Sequence, residues 1–349
     1  MGVRKFAIKL YIAVTLTIGL LAAAEGAAWL LYRHRGGGSD EYVYKSYVVW
    51  QAARPHGSGI TVDVAGLRRT LNSHCEAENY TIWMFGGSGL WGHYNSDGET
   101  IASWLAKQYE ESGRRVCVRN YGQRGWASTQ EVIELLLELK RAPKRPDFVI
   151  FYDGTVDSIL PCDSDEVDVH LEFPRFKKRF ESWGSENEAG FEYIHRTNTY
   201  LTLQWAADKL GLNDTRVRQS IPAQKAASMA QGTLNNYLKN MEILDSLAAH
   251  YDFRYICFWE PWLPAAQKPL STSEKSVIAV LQRTDPAGTE VTNVTYKLFR
   301  TVNSPHLVYL SDLLNGHSET LFADPSHLNG EGNRLVAERI SQAVQDLRR

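Results

Sequence analysis

Two largely apolar runs constrain this chain more than any other feature: DFVIFY at 147–152 and FRYICFW at 253–259. Neither alternates polar with apolar residues, as a strand must when one face meets water. Both therefore read as strands covered on both faces. YTIWMF (80–85), RVCVRNY (115–121) and HLVYLSD (306–312) add three strand candidates. Helical periodicity lies between them near 99–111, 128–141 and 233–250, and a last helix covers about 330–348. This alternation predicts an α/β fold, a three-layer α/β/α sandwich on a central, mostly parallel five-stranded sheet with right-handed crossovers. ITVDVAG (60–66) reads as an extra strand ahead of that core. Residues 158–230 and 263–305 show no strand pattern and read as insertions over the top of the sheet, where loops build sites.

The N-terminus has a different character. Arg4, Lys5 and Lys9 precede the uncharged run LYIAVTLTIGLLAAA (10–24), and GAAWLLY follows Glu25 before Arg33 and Arg35. Phe6 to Tyr32 is long enough to cross a bilayer, with the basic end inside. Glu25 must then sit near the opposite interface or be protonated. A signal peptide cut after Ala22-Ala23-Ala24 is the competing reading. Both put the remainder outside the cytoplasm, so the expected location is membrane-anchored with a periplasmic or extracellular domain. Three segments follow: 1–35 as anchor or signal segment and tether, 36–79 as an N-terminal extension, and 80–349 as the main domain carrying the two insertions.

Composition narrows the function classes. The 38 basic residues nearly balance 40 acidic ones, for a net charge of −2, so nucleic acid is not an expected partner. Four cysteines in 349 residues exclude a disulfide-scaffolded mini-protein. Cys117 and Cys257 fall in apolar runs and read as buried free thiols, whereas Cys75 and Cys162 remain available to pair. No histidines and cysteines share metal-ligand spacing, so neither a metal nor a cofactor is expected.

In an open α/β sheet, ligands bind beyond the carboxyl ends of the strands. After the first core strand comes Gly86-Gly87-Ser88-Gly89-Leu90-Trp91-Gly92. Glycines around a serine permit a sharp turn that exposes the hydroxyl, which suits a nucleophile but also a phosphate-cradling loop. No Lys-Ser/Thr follows to make a P-loop. Gly87, Gly89 and Gly92 match a dinucleotide fingerprint, yet no acidic ribose ligand follows the second strand. The second signal is Asp324-Pro325-Ser326-His327 ahead of the last helix. A carboxylate three residues before an imidazole on a turn can orient it as a general base, although an N-cap beside a surface histidine has the same pattern.

Taken together, these segments resemble the SGNH, or GDSL-type, hydrolases, particularly their membrane-anchored bacterial members. GGS at 86–88 matches the nucleophile block, Asn120-Tyr121-Gly122 the second block, Tyr152 to Asp157 the third, and Asp324 to His327 with LNGEGN the last. The resemblance implies Ser88 as nucleophile, His327 as general base and Asp324 as its orienting partner, with the N–H groups of Ser88 and Gly122 holding the oxyanion. It implies hydrolysis of an acyl ester, of the esterase, lipase or carbohydrate O-acetylesterase type. Acyl transfer to an extracytoplasmic polysaccharide or lipid, or non-catalytic polysaccharide binding or assembly, are the alternatives. The expected partners are an acyl-ester substrate, such as an acylated glycan or lipid, and the membrane.

One position departs from the family. Its third block ends Gly-x-Asn-Asp, where the asparagine donates to the oxyanion, and here that place is Val156. Removing one such donor costs about 2.7–4 kcal/mol of transition-state stabilisation. Asn120 is a candidate substitute, although its side chain could equally cap a turn. Trp91, Trp126 and Trp259 lie beside the motif loops as candidate substrate-binding aromatics, and packing beneath the loops is the competing reading. His93 reads as a surface or pocket-rim residue, and Glu260-Pro261 as part of a pocket floor.

Overall fold

Strands form where the apolar runs lie. The computed structural model describes residues 2–34, 41–54, 59–181, 197–209 and 218–347. Five parallel strands, β3 (Tyr80–Gly86), β4 (Val116–Asn120), β5 (Phe148–Asp153), β6 (Arg254–Trp259) and β7 (Leu307–Tyr309), pair in the order β4-β3-β5-β6-β7. Successive side chains point to opposite faces of a strand. Ile82, Met84, Phe148 and Ile150 therefore enter one core, with α3 (Ile101–Glu111) and α11 (Gly330–Asp346). Trp83, Phe85, Val149 and Phe151 enter the other, with α4 (Ser128–Arg141), α8 (Ala223–Tyr251) and α10 (Pro286–Phe299). This is the expected three-layer α/β/α arrangement.

The strand order locates the functional end of the sheet. The chain runs from β3 outward to β4, then crosses back to β5 on the other side of β3. The connections leaving β3 and β5 thus diverge, opening a crevice at their carboxyl ends. Ser88 follows β3 and Gly154 follows β5 at that crevice.

Three local readings are corrected. Residues 60–66 are not a strand: Val62 makes only an isolated bridge to Arg68, because Asp63 turns the chain by accepting the N–H groups of Ala65 and Leu67. The extra pairing lies earlier, in the hairpin of β1 (Glu41–Lys45) and β2 (Val49–Arg54). Segment 263–305 is not a loop over the sheet. It holds α9 (Thr272–Thr284) and α10, and α10 is the crossover from β6 to β7. Thr289, Thr292 and Thr295 share its buried face, which dilutes the apolar periodicity. Finally, Cys117 is bonded to Cys75 rather than free. The His74 N–H donates to the Val116 carbonyl and runs this segment beside β4, leaving the two cysteine Cα atoms 4.3 Å apart. Cys257 is buried and free, and Cys162 is free.

The chain divides into two units, Met1–Ser39 with Lys178–Arg216, and Asp40–Lys177 with Val217–Arg349. In the first, α1 (Gly2–His34) contains one stretch, Tyr11–Leu31, long and apolar enough to cross a membrane. Its carboxylate, Glu25, accepts hydrogen bonds at the start of α7 (Asn198–Lys209): from the N–H and Nδ2 of Asn198 at 2.6 and 2.7 Å, and from the N–H and Oγ1 of Thr199 at 2.9 and 2.8 Å. The tether at 36–40 lies outside the described residues.

Candidate active site

Ser88 is the first residue of α2 (Ser88–Trp91), a single turn that begins as β3 ends. The turn is tight enough to require glycine. A Cβ on Gly86 would lie 2.6 Å from the Tyr152 carbonyl oxygen. Gly92 ends the turn at φ +87°, a left-handed conformation that L side chains rarely adopt. The serine hydroxyl is thereby held at the crevice.

A second turn carries Asp324 and His327 to the same place. An antiparallel bridge between Phe322 and Leu328 closes the segment holding Asp324 to His327. His327 Nε2 lies 2.7 Å from Ser88 Oγ, and His327 Nδ1 lies 2.6 Å from Asp324 Oδ2. Asp324 Oδ1 accepts the N–H groups of Ser326 and His327, both at 2.9 Å. Burial opposes charge on Asp324, but the His327 contact and these hydrogen bonds outweigh it and hold the carboxyl at about 2. The Asp324 anion thus fixes Nδ1 as the protonated nitrogen and leaves Nε2 to accept from the serine.

The donors expected for an oxyanion are differently disposed. The Gly122 N–H donates to Asn120 Oδ1 at 2.9 Å, and Asn120 Nδ2 donates to the Leu90 carbonyl at 2.9 Å. Asn120 is fully buried and its side chain is occupied by this turn. Val156 lines the cavity wall but offers no donor. The Ser88 N–H, at the first position of α2, makes no hydrogen bond among the described residues.

The cavity beside Ser88 measures about 300 Å³. Trp126 lines it, with its Nε1 donating to the Trp50 carbonyl. Trp91 and Trp259 are corrected as binding candidates, because both are fully buried in packing. The Arg68 and Arg124 guanidinium groups lie over Trp91, and Trp259 stacks on Phe299. His93 sits deeper than a rim residue. Its ring is 4.8 Å from that of His327, and its Nδ1 is buried without a hydrogen-bond partner among the described residues. Burial and the neighbouring His327 lower its proton affinity, so it is held neutral.

Sequence reasoning missed the acidity of the cavity floor. Asp153, Asp157 and Glu260 line it, with Glu131 fully buried behind them. Tyr237 Oη donates to Asp153, the Ser128 N–H and hydroxyl to Asp157, and the Thr155 N–H to Glu260. Burial, reinforced by the Asp153 charge, pushes Asp157 up to about 7. Burial also pushes Glu260 up to about 7, against the Thr155 hydrogen bond. Burial raises Glu131 and Asp153 as well, Glu131 with the added charge of Asp153 beside it, so protonation of these carboxyls is favoured. The available signal was an acid at or just past the ends of two neighbouring buried strands, β5 and β6.

No protein-family model and no curated protein sequence matches the chain. Solved structures of similar fold include a member of the lipolytic protein G-D-S-L family from Veillonella parvula DSM 2008, at 14% identity and a TM-score of 0.36, covering 75% of this chain and 97% of that one. The psychrotrophic esterase EstA from Pseudoalteromonas sp. has 12% identity and a TM-score of 0.37, covering 77% and 98%. The acetyl xylan esterase AlAXEase has 14% identity and a TM-score of 0.33, covering 76% and 99%. At TM-scores this low, these likenesses decide nothing about what this chain does.

Proposed function

We propose that the chain is a serine-dependent acyl-ester hydrolase of the SGNH type that works through an acyl-enzyme. The observation that carries this reading is the continuous relay from Asp324 Oδ2 through His327 to Ser88 Oγ, at 2.6 and 2.7 Å, opening on a cavity. Ser88 Oγ attacks the ester carbonyl carbon while its proton passes to His327 Nε2. Asp324 stabilises the imidazolium, and the Ser88 N–H donates to the developing oxyanion. Collapse expels the alcohol, which takes the proton from His327. Water then repeats the sequence on the acyl-enzyme, releasing the acid and restoring Ser88.

Transfer of the acyl group to a sugar or lipid hydroxyl uses the same residues, with that hydroxyl replacing water. Val156 and the engaged Gly122 N–H favour a third reading, a binding or assembly protein with little turnover. The apolar stretch in α1 and the Cys75–Cys117 bond support a membrane-anchored chain whose other unit faces an oxidising, extracytoplasmic compartment. Fluorophosphonate labelling of the chain beside Ser88→Ala and His327→Ala tests the proposal. We expect wild type to be labelled at Ser88, His327→Ala to label far more slowly, and Ser88→Ala not at all. A folded wild type that takes no label would overturn the hydrolase reading in favour of binding.

A further inference from the structure

We propose that the floor of the Ser88 cavity is a subsite for an organic cation, an ammonium group carried by the acyl or the alcohol part of the substrate. The inference rests on the ester-acting reading of Ser88 and names the class of ester it would take.

Charge is the first ground. Glu131, Asp153, Asp157 and Glu260 come from α4, the end of β5, α5 (Thr155–Ser164) and the residue after β6, and the other three all feel the charge of Asp153. Among the described residues no lysine or arginine pairs with any of them, and their hydrogen-bond donors are neutral hydroxyl and backbone groups. Carboxylates gathered this way must take up protons or meet a cation.

The second ground is the geometry of Glu260. The residue is 7% exposed and lines the cavity. Its Oε1 accepts the Thr155 N–H at 2.8 Å, but Oε2 has no donor among the described residues. That oxygen lies against the residue next to the nucleophile, 2.7 Å from where a Cβ on Gly89 would stand. A carboxylate oxygen of a largely buried residue, with no hydrogen bond to it among the described residues and one residue from the reacting serine, is placed to receive an N–H of the substrate.

The walls agree with this occupant. Trp126 and Tyr152 line the same cavity and give aromatic surface, which attracts an ammonium more than a neutral polyol. No three acid, histidine or cysteine side chains among the described residues converge as metal ligands, so the geometry favours an organic cation over a metal ion. One basic residue, Arg124, also lines the cavity, stacked on another ring, and His93 is neutral. The Arg124 guanidinium lies 3.9 Å from the centroid of the Trp91 ring, and His93 packs on Tyr94 and His327.

Two pairs of isosteric esters test the proposal on the full chain in detergent. β-Alanine ethyl ester against ethyl butanoate places the charge on the acyl side, and 2-aminoethyl acetate against propyl acetate places it on the alcohol side. We expect one pair to favour the charged ester at least tenfold in kcat/KM, and Glu260→Gln and Asp157→Asn each to reduce that ratio. Equal rates, a preference for both neutral esters, or an unchanged ratio in both variants would overturn the subsite. If neither pair is turned over, the ester reading fails, and titration of Ser88→Ala with methylammonium chloride decides the subsite alone. Saturable binding that Glu260→Gln weakens supports it. No saturable binding, or binding of glycerol in place of methylammonium, overturns it.

Discussion

Asn120 Oδ1 accepts the backbone N–H of Gly122 at 2.9 Å, which occupies the donor that a family resemblance would aim at an oxyanion. With the Val156 side chain also unable to donate, the Ser88 N–H is the expected oxyanion donor that no hydrogen bond occupies. Val156→Asn would put an amide at the cavity wall beside Gly87 and Ser88. We expect it to raise kcat on a simple ester tenfold or more, a fraction of the roughly 10²–10³ that loss of such a donor costs elsewhere. Steady-state kinetics on wild type and variant measure this, and an unchanged or lower kcat would show that the oxyanion is held elsewhere.

In the proposed relay, Asp324 acts on Ser88 only through His327. Asp324→Asn keeps an acceptor for the Ser326 and His327 N–H groups but can present its amide to His327 Nδ1. The protonated nitrogen then becomes Nε2, which can no longer accept from Ser88. A loss on the order of 10⁴ in kcat is expected in a variant that is still folded at the assay temperature, a loss far larger than its lower thermal midpoint explains. Equal losses of activity and stability would assign Asp324 a structural role instead.

The sheet was legible because its strands are buried on both faces, so largely apolar runs such as 147–152 marked them directly. Ser88 and the Asp324–His327 turn could be singled out because both sit where a parallel sheet opens, and in the structure they lie within hydrogen-bond reach. What lay beyond reach was set by tertiary partners. Thr292 and Thr295 look polar in sequence, yet in α10 they face the core. Cys75 shows no preference for Cys117 until the His74 backbone bond aligns their segments. The acid floor was hidden because Glu131 reaches Asp153 from a helix, across a separation that no spacing rule covers.

That floor makes stability depend on pH with a defined sign. Asp157 and Glu260 ordinarily titrate near 3.8 and 4.5 but are raised to about 7 in the folded chain. Between those limits the unfolded chain has released protons that the folded chain retains. Their contribution to stability therefore falls as pH rises from about 4 to 7 and is level above. Asp324 acts oppositely: its stabilisation is present above about 3.8 and is lost as pH falls toward 2. Asp157→Asn and Glu260→Gln should gain thermal midpoint relative to wild type at pH 8 compared with pH 5. The gain is on the order of a few kcal/mol, since a tenfold change in proton affinity is worth about 1.4 kcal/mol. Differences that are identical at the two pH values would sink this account.

The Cys75–Cys117 bond closes a loop of 42 residues that contains Ser88. Its loss should cost about 2–4 kcal/mol, largely by freeing the unfolded chain. Denaturant unfolding of Cys75→Ser beside wild type, each with and without reductant, measures the effect. Reductant should lower the wild-type midpoint to that of the variant. A wild-type midpoint indifferent to reductant would mean that the two thiols are not joined in the protein.

Glu25 interrupts the apolar stretch of α1, and its carboxylate takes four hydrogen bonds from Asn198 and Thr199 at the start of α7. A helix N-terminus presents unpaired N–H groups and partial positive charge, so an acid there satisfies both elements at once. Glu25→Ala removes the acceptor and leaves those donors unpaired, whereas Glu25→Gln retains one acceptor oxygen. Amide hydrogen exchange of the detergent-solubilised chain should therefore accelerate at least tenfold over residues 198–201 in Glu25→Ala and less in Glu25→Gln. Exchange in α11, which belongs to the other unit, should not change. Unaltered exchange at 198–201 in the alanine variant would show that Glu25 does not hold the start of α7, and its place in the apolar helix would then need another cause.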